Sequence, residues 1–290
     1  MAEAEGEIPT VTNKNMDSAP ARGRREVILK TAGVLSLVGL GHIFKTSALA
    51  QTTSTITATP EETEGPYWVD EKLNRSDILT DPADNTIQQG FPLMLGVTVS
   101  QLANGKATPL SGAYVDIWHC NASGIYSDMA VEGTSGKKFL RGYQVTDAHG
   151  SVRFLTIYPG WYAGRTVHIH ARVRLFSGSQ TTYDFTTQFF FDDGITDIVY
   201  QRAPYSQRPG RDTINTVDSV YNTTDCLNGK TSGSELLLRL SEDSNHAVAS
   251  FNIVIDTSTL PDTSCNGNTR GAPPPGGPPT GNPPPQPPAT

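Results

Sequence analysis

"YPGWYAGRTVHIHARV", residues 158–173, decides how the rest of the chain is read. From Thr166 onward polar and apolar residues alternate strictly, which is the period of a β-strand. On such a strand His168 and His170 project from one face, while Val167, Ile169 and Ala171 pack into the other. Outward from it, other short runs rich in β-branched and aromatic residues follow the same pattern. They are "FPLMLGVTVS" (91–100), "AYVDIWHC" (113–120), "GSVRFLTIY" (150–158), "TTQFFFDD" (186–193), "ELLLRL" (235–240) and "ASFNIVID" (249–256). Turn signals such as "ANGK", "DAHG", "SGSQ" and "SEDSN" separate them, and no long 3.6-residue period intervenes. The pattern predicts an all-β fold, a β-sandwich of about seven to eight strands. Residues 195–222 have no strand pattern and read as a long excursion of the kind that often carries function, with a helical turn at 196–200.

The two ends read differently. Residues 1–50 contain Arg24 and Arg25, an apolar run from Thr31 to Phe44 and a small-residue "ALA" before Gln51. That is the order of an export signal, and the paired arginines suggest the twin-arginine type. The run is too short to span a bilayer, which needs about 20 apolar residues, so the mature form is expected to have no stable membrane span. The last 20 residues hold ten of the 21 prolines, a composition that cannot bury a core, and 263–290 read as a disordered tail. The sandwich is thereby assigned to 51–262, exported to the periplasm or outside the cell. Without residues 1–50 the chain carries 16 Lys and Arg against 24 Asp and Glu, with no basic stripe, which excludes nucleic acid as a partner. A homo-oligomer is compatible with the sequence. An exported chain can form disulfides, and three cysteines leave one thiol over. Cys226–Cys265 and Cys120–Cys226 both stand as pairings.

Two imidazoles one strand repeat apart can chelate a metal ion, although strand histidines are also met exposed or hydrogen-bonded. No Cys or Glu lies in or just beside the segment, whereas Tyr158 and Tyr162 do. A phenol, with an ordinary pKa of about 10, ligates only a strongly Lewis-acidic cation. Ferric iron is such a cation; zinc, with its usual nitrogen, sulfur and carboxylate set, fits less well. Most of the ten tyrosines are expected to be core or rim residues, and His119 and His149 take the structural reading too.

Four ordered blocks resemble the intradiol ring-cleavage dioxygenases of the catechol and protocatechuate type. They are "EGPYW" (64–68), "DIWHCNASGIYSD" (116–128), "FLRGYQVTDAHGSVRFLTIYPGWYAGRTVHIHARV" (139–173) and "TTQFFFDD" (186–193). The resemblance implies a non-haem Fe(III) held by Tyr126, Tyr162, His168 and His170. It makes Arg165 the active-site arginine and Gln188 the glutamine behind it, and it returns Tyr158 to the structural pool. It implies that a catechol-type aromatic and O2 are the substrates and that the ring opens between its two hydroxyl-bearing carbons to a muconate-type diacid. Tyr162 would leave the metal to act as base. The Tyr162–Arg165 spacing is shorter than in the well-known catechol and protocatechuate enzymes, and 51–90 hold no helical dimerisation segment, so the individual substrate stays open. The alternative is an exported binding module that keeps the scaffold without turnover; Pro66, Tyr67 and Trp161 are unranked pocket candidates in either case.

Overall fold

A computed structural model describes residues 56–224 and 231–258. The histidine-bearing strand is β6 (His168–Ser177), and its alternation decides the layering around it. Ile169, Ala171 and Val173 are buried in the main core, and the histidines point the other way. β6 lies between β3 (Tyr114–Trp118) and β7 (Gln180–Phe190), with β4 (Arg141–Val145) beyond β3, giving a four-stranded sheet ordered β4-β3-β6-β7. The second sheet has five strands: β1 (Pro92–Ala103), β2 (Lys106–Pro109), β5 (Ser151–Ile157), β8 (Arg239–Glu242) and β9 (Ala247–Ile255). β1 pairs in antiparallel fashion with β2 and β5 and in parallel with β9, and β8 flanks β9. Along β1, Leu93, Leu95, Val97 and Val99 are buried while Met94 is exposed, so the period of two is again met. The core lies between the sheets, where those residues meet Ile117, Ile169, Val173, Phe185 and Phe189. Each such side chain contributes about 1.5–3 kcal/mol relative to its exposed state.

The sandwich expected from the sequence is thus present, with two strands more than the patterned runs. β2 ends in proline and β4, "RGYQV", has little β-branched content. Pairing imposes both strands: β2 through the two-residue Asn104–Gly105 hairpin and β4 along β3. The strand expected at 235–240 is displaced. A short helix occupies Ser232–Glu235, and the chain then crosses the sheet edge, where Phe190 N donates to Leu236 O and Leu238 N to Phe190 O. Buried Leu236 and Leu238 explain the misleading apolar run. In the excursion the expected helical turn is α1 (Asp193–Val199), capped by the Asp192 side chain, which accepts from Ile195 N. Cys120 is a buried free thiol whose Sγ donates to Gly160 O. Cys226, Cys265, the export signal and the proline-rich tail lie outside the described residues. No described helix is long and apolar enough to cross a membrane.

Candidate active site

The site is built on the outer face of the four-stranded sheet, away from the core. Cross-strand register puts Arg141, Trp118, His170 and Gln188 in one row over β4, β3, β6 and β7. Trp118 stacks on the His170 ring at 4.8 Å and 5°. His168 begins β6 one repeat earlier, and its Nδ1–H donates to Thr166 O at 2.6 Å. A carbonyl can only accept, so that bond fixes the tautomer and leaves a lone pair on Nε2.

Two loops carry the tyrosines to these imidazoles. Tyr126 follows β3 on the 119–126 loop and Tyr162 follows β5 on the 158–165 loop. The loops touch backbone to backbone at two glycines. A Cβ on Gly160 would stand 2.5 Å from both Asn121 O and Ala122 O, and one on Gly124 would stand 2.1 Å from Trp161 O. Arg208 ties the same loops by donating to Ala122 O and Trp161 O. The segment 60–68 closes over the face. Glu62 N donates to Thr186 O, Thr187 Oγ1 to Pro60 O and Gln188 Nε2 to Thr63 O. Tyr67 stacks on Tyr126 at 4.0 Å and meets Tyr162 edge-on at 5.6 Å.

The result is a tight cluster of four donor atoms. His168 Nε2 lies 3.2 Å from His170 Nε2, 3.2 Å from Tyr162 Oη and 3.5 Å from Tyr126 Oη. All four side chains are buried. Burial, aided by Arg165, pushes His168 down to about 3 and holds His170 well below the ordinary imidazole range, so both rings are neutral and can donate lone pairs. Burial likewise pushes Tyr162 up to about 12 and Tyr126 well above 10, so neither phenol ionises near neutrality unless a cation sits beside it. Ligands held about 2.0–2.2 Å from one ion at near-tetrahedral or near-right angles stand roughly 3 Å apart, the spacing found here. His170 Nδ1 has no partner among the described residues. None of those residues gathers three His, Cys, Asp or Glu side chains around a metal position, and the side-chain oxygens found next to the imidazole pair are those of the two phenols. The donor set therefore fits a strongly Lewis-acidic ion.

Arg165 flanks the cluster. Its Nε donates to Asp218 at 2.9 Å and its Nη2 to Gln188 Oε1 at 2.6 Å, which leaves Nη1 3.5 Å from Tyr162 Oη. Burial alone would raise the Asp218 carboxyl, but Arg165 and the Thr166 N–H outweigh it and hold it below the usual carboxylate range. All six residues taken from the motif blocks meet in this one place. Tyr158 does not: its hydroxyl pairs with Thr196 Oγ1 at 2.7 Å in the core. His119 is fixed between Cys120 O and Thr156 Oγ1 and pushed down to about 4 by burial, away from the donor cluster, and His149 sits exposed in its turn. Of the pocket candidates, Pro66 is exposed and Trp161 half-buried under Arg208. Asp218 and Trp118 are the residues that sequence reasoning missed. Trp118 had one signal, its place in the alternation of β3, but its partner depends on register.

The family model described as "Dioxygenase" matches residues 63–202. A catechol 1,2-dioxygenase of Acinetobacter lwoffii is 31% identical over 150 residues, 45% of this chain and 45% of that protein. One from Acinetobacter baylyi is 36% identical over 110 residues, 36% of this chain and 32% of that protein. The chain therefore spans less than half the length of these curated relatives. Among solved structures, an intradiol ring-cleavage dioxygenase from Tetranychus urticae superposes with a TM-score of 0.59 at 28% identity, covering 71% of this chain and 97% of that one. With the motif blocks gathered on one sheet face, these likenesses give the conclusion: residues 63–202 are of the intradiol ring-cleavage dioxygenase family.

Proposed function

We propose that the protein is an exported non-haem Fe(III) dioxygenase that cleaves catechol-type rings between the two hydroxyl-bearing carbons, adding both atoms of O2 to give a muconate-type diacid. The observation that carries this reading is the convergence of two phenol oxygens and the His170 Nε2 atom within 3.5 Å of His168 Nε2, with a guanidinium beside one phenol. Tyr126, Tyr162, His168 and His170 would hold the iron. Two phenolates and one hydroxide neutralise a trivalent ion, and a neutral centre is tolerated in a buried site where an uncompensated charge is not. Bound iron would supply Lewis acidity, lowering the pKa of phenols and diol and opening the ring to O2.

The chain's own groups do the rest. Tyr162 Oη, an intrinsically basic phenolate at this depth, takes a proton from a substrate hydroxyl at short range. Arg165 Nη1, aimed at the same oxygen, stabilises negative charge as it develops. Gln188 and Asp218 keep the guanidinium from turning away. Thr166 O keeps the His168 Nε2 lone pair directed at the cluster. Tyr67 and Trp118 cover the phenols and the His170 ring with apolar surface and exclude water.

The test is oxygen uptake by iron-loaded protein with catechol, hydroxyquinol, protocatechuate and substituted catechols, followed by product identification. A reddish protein with one iron per chain and a diacid product is expected. A colourless protein with no oxygen uptake but affinity for aromatics would return the binding-module reading. Export is tested separately, by fractionation of cells expressing the full chain with and without Arg24 and Arg25.

A further inference from the structure

The segment 205–222 contributes no strand to either sheet, yet it grips the start of the histidine strand at three points. Asp218 Oδ2 accepts from Arg165 Nε at 2.9 Å and from Thr166 N at 2.7 Å. Asn215 Oδ1 accepts from Thr166 Oγ1 at 2.7 Å, while its Nδ2 donates to Phe191 O at 2.8 Å. The segment is also bonded to itself. Asp218 Oδ1 accepts from the N–H groups of Val220 and Tyr221, and Asn222 Nδ2 donates to the carbonyls of Asn215 and Asp218. Asp218 and Arg165 are both buried, so water does not screen their pairing.

A guanidinium is planar, and fixing two of its nitrogens fixes the third. Gln188 holds Nη2 and Asp218 holds Nε, and only with both in place is Nη1 confined to the direction of Tyr162 Oη and His168 Nε2, each 3.5 Å away. With Gln188 alone the group pivots about one bond. Through Thr166 the same carboxylate also steadies the carbonyl that sets the His168 tautomer. We infer that Asp218 is the positioning residue for Arg165, which makes the 205–222 segment a working part of the active site. Its catalytic consequence rests on the function proposed above; its geometric content does not.

The experiment combines Asp218→Asn, Asp218→Glu, Arg165→Ala and the double variant Arg165→Ala/Asp218→Asn in the iron-loaded full chain. Asp218→Asn is expected to lower kcat by roughly 10- to 100-fold, with KM, iron content and colour changed far less. Asp218→Glu keeps the charge should the amide fail to fold, and it is expected to lower kcat in the same sense. In the Arg165→Ala background, Asp218→Asn should cost much less than it does alone, because the part of its effect that passes through Arg165 is already gone and only the contact to Thr166 is left. With diamagnetic Ga(III) in place of paramagnetic Fe(III), the Arg165 Nε–H resonance is expected to exchange slowly in the parent protein and to shift and exchange faster in the Asp218 variants. Unchanged kcat in both Asp218 variants, multiplicative losses in the double variant, or an unaltered Nε–H resonance would each overturn the inference. If the parent protein consumes no oxygen with any diol, the functional reading fails alone and the resonance decides the positioning role.

Discussion

Replacing Gly160 with alanine tests whether close loop contact holds the two phenols together. The new Cβ would lie 2.5 Å from Asn121 O and Ala122 O and 2.7 Å from Ala122 C. These are backbone atoms and cannot rotate aside. Ordinary contact begins at 3.4 Å, so the 119–126 and 158–165 loops must part by about 0.9 Å. Gly160 is not in the left-handed region, so the cost is steric alone. Forcing a methyl into packed surroundings costs about 1–3 kcal/mol. In a domain of this size each kcal/mol lowers Tm by about 2–4 °C. The same displacement separates Tyr162, two residues on, from Tyr126, and an error near 1 Å at a reacting centre can lower turnover by about 100-fold. Calorimetry, iron per chain, visible absorption and oxygen uptake should therefore all fall together. Gly210→Ala is the control: nothing lies within 4 Å of its Cβ, and stability should stay within about 0.5 kcal/mol of the parent. A Gly160→Ala protein with parental Tm and full iron loading would refute the argument.

Tyr126→Phe should lose colour and oxygen uptake together, since it removes an oxygen from the donor cluster; a coloured, active variant would contradict the assignment. Arg165→Ala should still bind iron but turn over roughly 100- to 1,000-fold more slowly, as when a preorganised donor to developing charge is deleted; parental kcat would remove its role. Glu62 offers a pH test. Burial, opposed by the Ser232 hydroxyl, pushes its carboxyl up to about 8, so the folded state keeps a proton that the unfolded chain releases near 4.5. Its stabilising contribution is complete below the unfolded value and is lost between there and about pH 8, with a slope approaching about 1.4 kcal/mol per pH unit. Urea midpoints of Glu62→Gln should decline less from pH 5 to pH 8 than those of the parent, and parallel declines would show that Glu62 is not the source.

The histidine pair was legible because alternation is local. Residues 166–173 alone state which side chains share a face, and the core confirms it. Tyrosine assignment was not local. Tyr158 and Tyr162 both lie shortly before the histidines in sequence, but β5 delivers Tyr158 to Thr196 in the core, and only the loop after it turns Tyr162 outward. The motif blocks separated them; spacing did not. Asp218 left no trace in its neighbours, because its partners, Arg165 and Thr166, lie some fifty residues away. β4 and the displaced β8 share that cause: cross-strand pairing and an edge crossing at Phe190 govern them, and neither is written in a run of residues.

Because β6 presents apolar side chains to one side and imidazoles to the other, a slip of one residue in its pairing would invert both at once. Two imidazole rings would then sit in the hydrocarbon interior, and Ile169, Ala171 and Val173 would face outward. Such a chain loses its stability and its chemistry in the same event. A mispaired molecule thus cannot persist as a sturdy but inert contaminant, because one event undoes the core and carries both imidazoles off the outer face.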